Sequence, residues 1–285
     1  MRHPSGHPGS REMVLNFIAR HRLARPRRTE HAYGKDVMDE VVRLEVAGAV
    51  ARVTLSSPGN RNALSRALVT RLAEHLAAAD ADESVRAVVI AADGPAFCSG
   101  ADMKEAAAGG MEEGARALVA IQRQIAALTK PVVTRVHGPV RAGGLGIVGS
   151  SDVVVCADTV SFAFTEVLLG LAPAAISLTT LPRLTSRGAA RAFLTGETFP
   201  AAEAQRMGLV TVAVPPERLD AEVDAVAQAW VAASPQGLRE TKRLLNHDLV
   251  RRIDERGEQV ARQSAELFAS TEAKEAMQAF LARRT

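Results

Sequence analysis

The chain has 285 residues, 47% of them hydrophobic and 24% charged, with 21 glycines and 13 prolines, which excludes a disordered tail protein and a collagen-like repeat. Its net charge of +3 is carried by the N-terminus: residues 1–40 hold eight Lys/Arg against five Asp/Glu, leaving 27 of each sign in the remainder. A formally neutral body excludes nucleic acid as the main partner, because such binders carry a basic face on the folded part.

Two cysteines, Cys98 and Cys156, are too few for a disulfide scaffold and lack metal-ligand spacing. They fit a reducing, cytoplasmic setting. No run approaches 18 apolar residues, so no membrane span is expected. The one apolar cluster near the N-terminus, residues 13–18, is short and broken by Asn16, unlike a signal peptide. Residues 1–40 place His3, His7, His21 and His31 among prolines and arginines without periodicity. They read as a basic arm, mobile or lying on the surface.

The body is expected at 41–216. Val41–Val46 and Val50–Leu55, separated by Ala47-Gly48-Ala49, read as a β-hairpin. Ser65 can cap a helix in which Leu68, Leu72 and Leu76 recur every four residues. Ala87–Ala91 is an apolar strand, Glu113–Leu128 a helix, and Val132–Val136 a further strand after Lys130-Pro131. Another strand is expected at Val153–Ala157 and a last one at Leu209–Val214. From Glu217 to the end the pattern is helical only, and Ser234-Pro235 resembles an N-cap followed by proline in the first helical position. Buried strands alternating with helices imply an α/β core with a largely parallel sheet.

Three glycine-bearing segments bear on chemistry. Gly144 to Gly149 has the G-x-G-x-x-G spacing of a dinucleotide-binding turn, but its preceding strand ends near Val136 and the next begins near Val153. That leaves no room for the following helix such a turn requires. Phe97 to Lys104 follows a strand with small residues that let backbone N–H groups approach a ligand; a plain tight turn explains it equally well. His137 to Gly144 opens a short helix whose N–H groups favour negative charge, or whose glycines serve close packing.

Taken together with Asn62-Ala63-Leu64, Lys130-Pro131-Val132, Phe162 to Gly170 around Glu166, Leu194-Thr195-Gly196 and Met207-Gly208-Leu209-Val210, these loops resemble the crotonase superfamily, the enoyl-CoA hydratase/isomerase family. The resemblance covers residues 41–285. It implies an α/β fold with a repeated ββα core and, at 217–285, a helical oligomerisation region assembling a homo-trimer or a dimer of trimers. It implies acyl-CoA as substrate, with coenzyme A entering as part of it and no metal or redox cofactor. It also implies an oxyanion hole made by the N–H groups of Ala101 and Gly143, stabilising a thioester enolate. Ala63, Leu64 and Lys104, with Phe280 and Arg283 near the C-terminus, map onto the coenzyme-binding positions.

Glu166 maps onto one of two glutamates that hydratases of this family use; the other position is Gly146. Hydration is most easily run by two carboxylates, whereas one suits proton transfer between two carbons. The chain is thus expected to hydrate 2-enoyl-CoA or isomerise 3-enoyl-CoA, the alternative being a catalytically silent acyl-CoA binder. Restoring the second carboxylate as Gly146→Glu is expected to raise hydration. Ile176 and Leu178 are expected along the acyl pocket, His137 as a structural hydrogen-bonder, and Cys98 as no nucleophile.

Overall fold

The computed structural model describes residues 40–106 and 111–282. The expected N-terminal arm, up to residue 39, and Arg283 lie outside the described residues.

Strands β1 (Val42–Ala47) and β2 (Val50–Leu55) form the expected hairpin, with Val42 opposite Leu55 and Ala47 opposite Val50. Helix α1 (Arg66–Ala81) starts where the Ser65 side chain accepts from the Leu68 N–H. Its four-residue repeat puts Leu68, Leu72 and Leu76 on one buried face. Strand β3 (Ala87–Ala92) is buried at all positions, as a strand between two parallel neighbours must be. Helix α2 (Met111–Ala127) leads to β4 (Val132–Val136).

Next come β5 (Val140–Arg141), α3 (Gly143–Ser150), β6 (Val153–Ala157) and β7 (Ser161–Ala163). The chain continues through α4 (Ala174–Thr180), α5 (Ser186–Thr195), β8 (Phe199–Pro200), α6 (Ala201–Met207) and β9 (Val212–Val214). Three helices close it: α7 (Leu219–Ala232), α8 (Pro235–Ala269) and α9 (Thr271–Ala282). The main sheet has the order β1-β2-β3-β4-β6-β9 and is parallel except for its hairpin. A second, small sheet, β5-β7-β8, stands beside the loops that build the site. The fold is α/β with a helical C-terminal part, and among the described residues no helix is long and apolar enough to cross a membrane.

Four details differ from the sequence reading. The last strand is shorter, because the Leu209 and Val210 N–H groups both turn back to the Ala204 carbonyl at the end of α6. Ser234 stands at the N-cap of α8, but its side chain makes no capping bond. The segment 143–150 does hold a helix: the glycines form α3 themselves, buried at every position, so no separate helix follows a phosphate-binding turn. Finally, α8 spends much of its apolar stripe within the chain. Leu249, Ile253, Gly257 and Ala261 are buried, with α8 packed on α2 and α4. Lys242 on α8, almost wholly buried, donates to Asp152 Oδ2 (2.8 Å) and to the carbonyls of Ile125 and Lys130 (both 3.0 Å), anchoring the helix to the core.

Candidate active site

Three loops are stitched together at the ends of the strands. Asn62, wholly buried, accepts from the Ser57 N–H (2.8 Å) and donates to the carbonyls of Asp93 (2.8 Å) and Ala96 (2.9 Å). It takes a left-handed conformation (φ 54°) that asparagine tolerates. The Leu64 N–H donates to the Gly100 carbonyl (2.8 Å), and the Arg141 N–H to the Cys98 carbonyl (3.0 Å). Gly100 has φ +96°, and a Cβ there would sit 2.8 Å from the Ala142 Cβ, so both backbone and space require glycine.

Ala142 itself is strained, at φ 45° and ψ −121°, a region that costs about 1–3 kcal/mol for a residue with a side chain. It is the residue that sets the peptide leading into α3. Among the described residues, the N–H groups of Ala101 and Gly143 donate to no protein acceptor. They are neighbours: a Cβ on Gly143 would stand 3.9 Å from the Ala101 nitrogen. Gly143 opens α3, so the helix dipole adds to its N–H. Two unspent donors side by side can hold an oxygen on which negative charge develops.

Both residues line a cavity of about 700 Å³, together with Leu64, Glu166, Ile176, Phe268 and Met277 among others. Glu166 lies in a short 3-10 helix, Thr165–Leu169, that ends at left-handed Gly170. The side chain as a whole is half-buried, but Oε2 is sealed from solvent and, among the described residues, lacks a hydrogen-bond partner. Burial pushes the carboxyl up to about 7, because the charged form loses its hydration and no cation replaces it. A carboxyl of that acidity on a cavity wall can give or take a proton near neutral pH.

The other expected residues divide. Ala63 is buried and off the cavity lining, and Lys104 is exposed on the helical turn Met103–Glu105, also off the lining. The Phe280 side chain, like the whole of Arg283, is outside the described residues. His137 donates from Nε2 to the Gly94 carbonyl (2.7 Å), a structural bond away from the cavity lining. Burial pushes the Cys98 thiol up to about 12, so it is no nucleophile. Ile176 lines the cavity as expected. Leu178 does not; it packs with Ala126, Leu249 and Ile253 in a separate apolar cluster.

The space beside Gly146 is taken. A Cβ there would lie 3.0 Å from Gln122 Cδ and 3.0 Å from Ile176 Cγ2. Gln122, wholly buried, donates to the Ala175 carbonyl (3.1 Å) and accepts from Thr179 Oγ1 (2.6 Å). The sequence reading missed Gln122, whose only signal is a lone polar residue on the apolar stripe between Leu118 and Ile125. This crowding argues against the expected gain of hydration from Gly146→Glu. The new side chain would have to displace a satisfied amide, and overpacking of this kind costs about 1–3 kcal/mol. Gly146→Glu is expected to lower the unfolding midpoint in calorimetry and to add no hydration of crotonyl-CoA. An unchanged midpoint with new hydration would restore the reading from sequence.

A mainly parallel six-stranded sheet stands beside a small second sheet, and Ala101, Gly143 and Glu166 share one cavity. Residues 45–285 match the family model described as enoyl-CoA hydratase/isomerase, and the chain belongs to that family. The solved structure of an enoyl-CoA hydratase from Mycobacterium avium is 45% identical, covers 86% of this chain and 98% of its own, and superposes with a TM-score of 0.81. A protein of Rhizobium meliloti (strain 1021) named a probable enoyl-CoA hydratase is 32% identical over 247 residues, 86% of this chain and 96% of that one. A carnitinyl-CoA hydratase from Mycobacterium avium, 28% identical, has a TM-score of 0.76 and covers 86% of this chain and 96% of its own. Hydratases named for different acyl groups thus share this architecture, and the acyl group must be argued from the site.

Proposed function

We propose that the chain isomerises 3-enoyl-CoA to 2-enoyl-CoA with Glu166 as its single acid/base. The Glu166 carboxylate takes a proton from C2 of the thioester. The electron pair moves onto the thioester oxygen, held by the Ala101 and Gly143 N–H groups. The carboxylic acid then returns the proton to C4, and the double bond moves from C3–C4 to C2–C3. The balance closes without a metal or redox partner, and coenzyme A enters only as part of the substrate. The carrying observation is the contrast between one sealed carboxyl on the cavity wall and a second position filled by Gln122 and Ile176. Water addition to the double bond is most easily run by two carboxylates, and the Gln122 amide beside Gly146 is already engaged with Ala175 and Thr179.

The names of the relatives favour a second reading, hydration of 2-enoyl-CoA. One experiment separates them: a 3-enoyl-CoA and crotonyl-CoA are each incubated with the protein while thioester absorbance is followed. Isomerisation with crotonyl-CoA hydration at least tenfold slower supports the proposal, and the reverse order overturns it. Turnover of neither, with tight acyl-CoA binding, would mark a silent binder. The trimer or pair of trimers implied by the family resemblance belongs to this proposal. Leu194, Leu244 and Leu245, each more than two-thirds exposed, are available for such contacts, and a monomer in light scattering would overturn it. Action in the cytoplasm, the setting the two buried thiols suit, completes the proposal, and fluorescence microscopy of the tagged protein tests it: signal at the cell envelope would overturn that setting.

A further inference from the structure

We propose, resting on the reading of the Ala101 and Gly143 N–H groups as paired donors, that Ala142 is the positioning residue of that pair. Its methyl is wedged against Gly100 and its backbone is clamped through Arg141, so that the Gly143 N–H stays aimed into the cavity.

The direction of an N–H is fixed by its peptide, and the peptide that carries the Gly143 N–H is the one Ala142 turns. Among the described residues, the non-glycine positions with positive φ are Arg61, Asn62 and Ala142. Arg61 sits in the common left-handed well, at φ 57° and ψ 41°. Ala142, with ψ −121°, lies outside that well, where a Cβ crowds the backbone. Glycine would adopt these angles without steric cost. An alanine stays there only if its surroundings hold it against the strain.

The surroundings do so from several sides. Strand β5 pairs with β7, Arg141 opposite Ala163, and the Ala142 N–H donates to the Ala163 carbonyl (3.3 Å). On the opposite edge the Phe97 N–H donates to the Pro139 carbonyl (3.1 Å), beside the Arg141 bond to Cys98. Downstream, the Leu145 N–H donates to the Ala142 carbonyl (2.9 Å). The Arg141 guanidinium completes the clamp. Its Nη1 donates to the carbonyls of Ser161 (2.6 Å) and Val140 (2.9 Å), and its Nη2 to the Ser161 hydroxyl (2.9 Å). Burial holds this group below its usual pKa, and all three acceptors are neutral. The planar fork ties β5 to β7 in a way that a single ammonium cannot.

The methyl links the two donors. It occupies the space that a Cβ on Gly100 would need, and that same Cβ would stand 3.6 Å from the Gly143 nitrogen. Gly100 directly precedes Ala101, the other donor. One methyl thus abuts the loop of the first N–H while its own residue turns the second. Glycine at 142 would relieve the strain and free the peptide to take other orientations.

Ala142→Gly tests this with two readouts. One is kcat on a 3-enoyl-CoA or on crotonyl-CoA, whichever the unaltered protein turns over. The other is the isotope-edited infrared band of the thioester carbonyl in bound butyryl-CoA, which falls in frequency when N–H groups donate to its oxygen. The unaltered protein is expected to lower that band relative to free butyryl-CoA. In Ala142→Gly the band is expected to broaden and return part of the way, with kcat reduced roughly tenfold or more, a fraction of the full loss of one donor. Kd for butyryl-CoA should stay within about threefold, since the coenzyme contacts are untouched, and the unfolding midpoint should stay level or rise. Turnover and stability then move in opposite senses, which a packing role cannot produce. Arg141→Lys, which keeps the charge and loses the fork, should shift the band the same way. If neither thioester reacts, the band alone decides. An unchanged band in Ala142→Gly, or a fall in its midpoint alongside the loss of kcat, overturns the proposal and leaves the paired donors standing. A band no lower in the unaltered protein than in free butyryl-CoA overturns the paired-donor reading, and this proposal with it.

Discussion

Glu166→Gln is expected to lower isomerisation of a 3-enoyl-CoA by about 10²–10⁴-fold, the usual cost of losing a general acid/base, while acyl-CoA binding persists. The amide keeps the shape of the side chain in its half-buried site but cannot carry the proton between C2 and C4. The unaltered enzyme should show kcat/KM rising with pH to a plateau, with an apparent pKa near the value of about 7 set by burial of this carboxyl. The stability effect has a fixed sign. A carboxyl whose folded pKa lies above its unfolded value holds an extra proton in the folded state between about pH 4.5 and 7. Its favourable contribution is fully present below that window and is lost as pH rises through it. Glu166→Gln removes this dependence, so its stability relative to the unaltered protein should improve by roughly 1–3 kcal/mol between pH 5 and pH 8, after allowance for partial exposure. Denaturant unfolding at the two pH values measures it. Near-normal turnover, or an inflection near 4.5, would sink the assignment of Glu166.

Gly143→Ala is expected to cost about 10²–10³-fold in kcat, the magnitude of losing one oxyanion donor, with little loss of stability. Gly143 lies in the first turn of α3 without a positive φ, so the backbone accepts alanine. The added methyl would stand 3.9 Å from the Ala101 nitrogen and 2.8 Å from Leu64 Cδ1. The leucine end can swing aside, but the methyl stays in the space between the two donors. Because the donors act on charge that develops during reaction, the loss should appear in kcat more than in binding of a saturated acyl-CoA. Gly100→Ala is a poorer probe, since its positive φ and the Ala142 contact would disturb the fold as well. A folded Gly143→Ala enzyme with kcat within threefold of the original would show that the paired N–H groups are not the oxyanion site.

The sequence by itself determined most of the elements, and through the family resemblance it pointed to Glu166 as the candidate acid. Period-two and period-four apolar patterns placed β1, β2 and α1 within a residue or two, because such a pattern records which face of a local element must be buried. The loops around Asn62, Ala101, Gly143 and Glu166 were legible through the family resemblance, and the fold brings Leu64, Ala101, Gly143 and Glu166 onto one cavity. What only the tertiary structure decided is everything that depends on partners far along the chain. Gln122 and Ala175, 53 residues apart, are bonded across the space beside Gly146, and that contact turns a missing glutamate into a filled wall. Leu178, two positions from Ile176, faces α8 instead of the cavity, since adjacent positions on a helix point to different neighbours. The proton affinity of Glu166 has the same origin: desolvation is a property of the surrounding packing, and no local pattern records it.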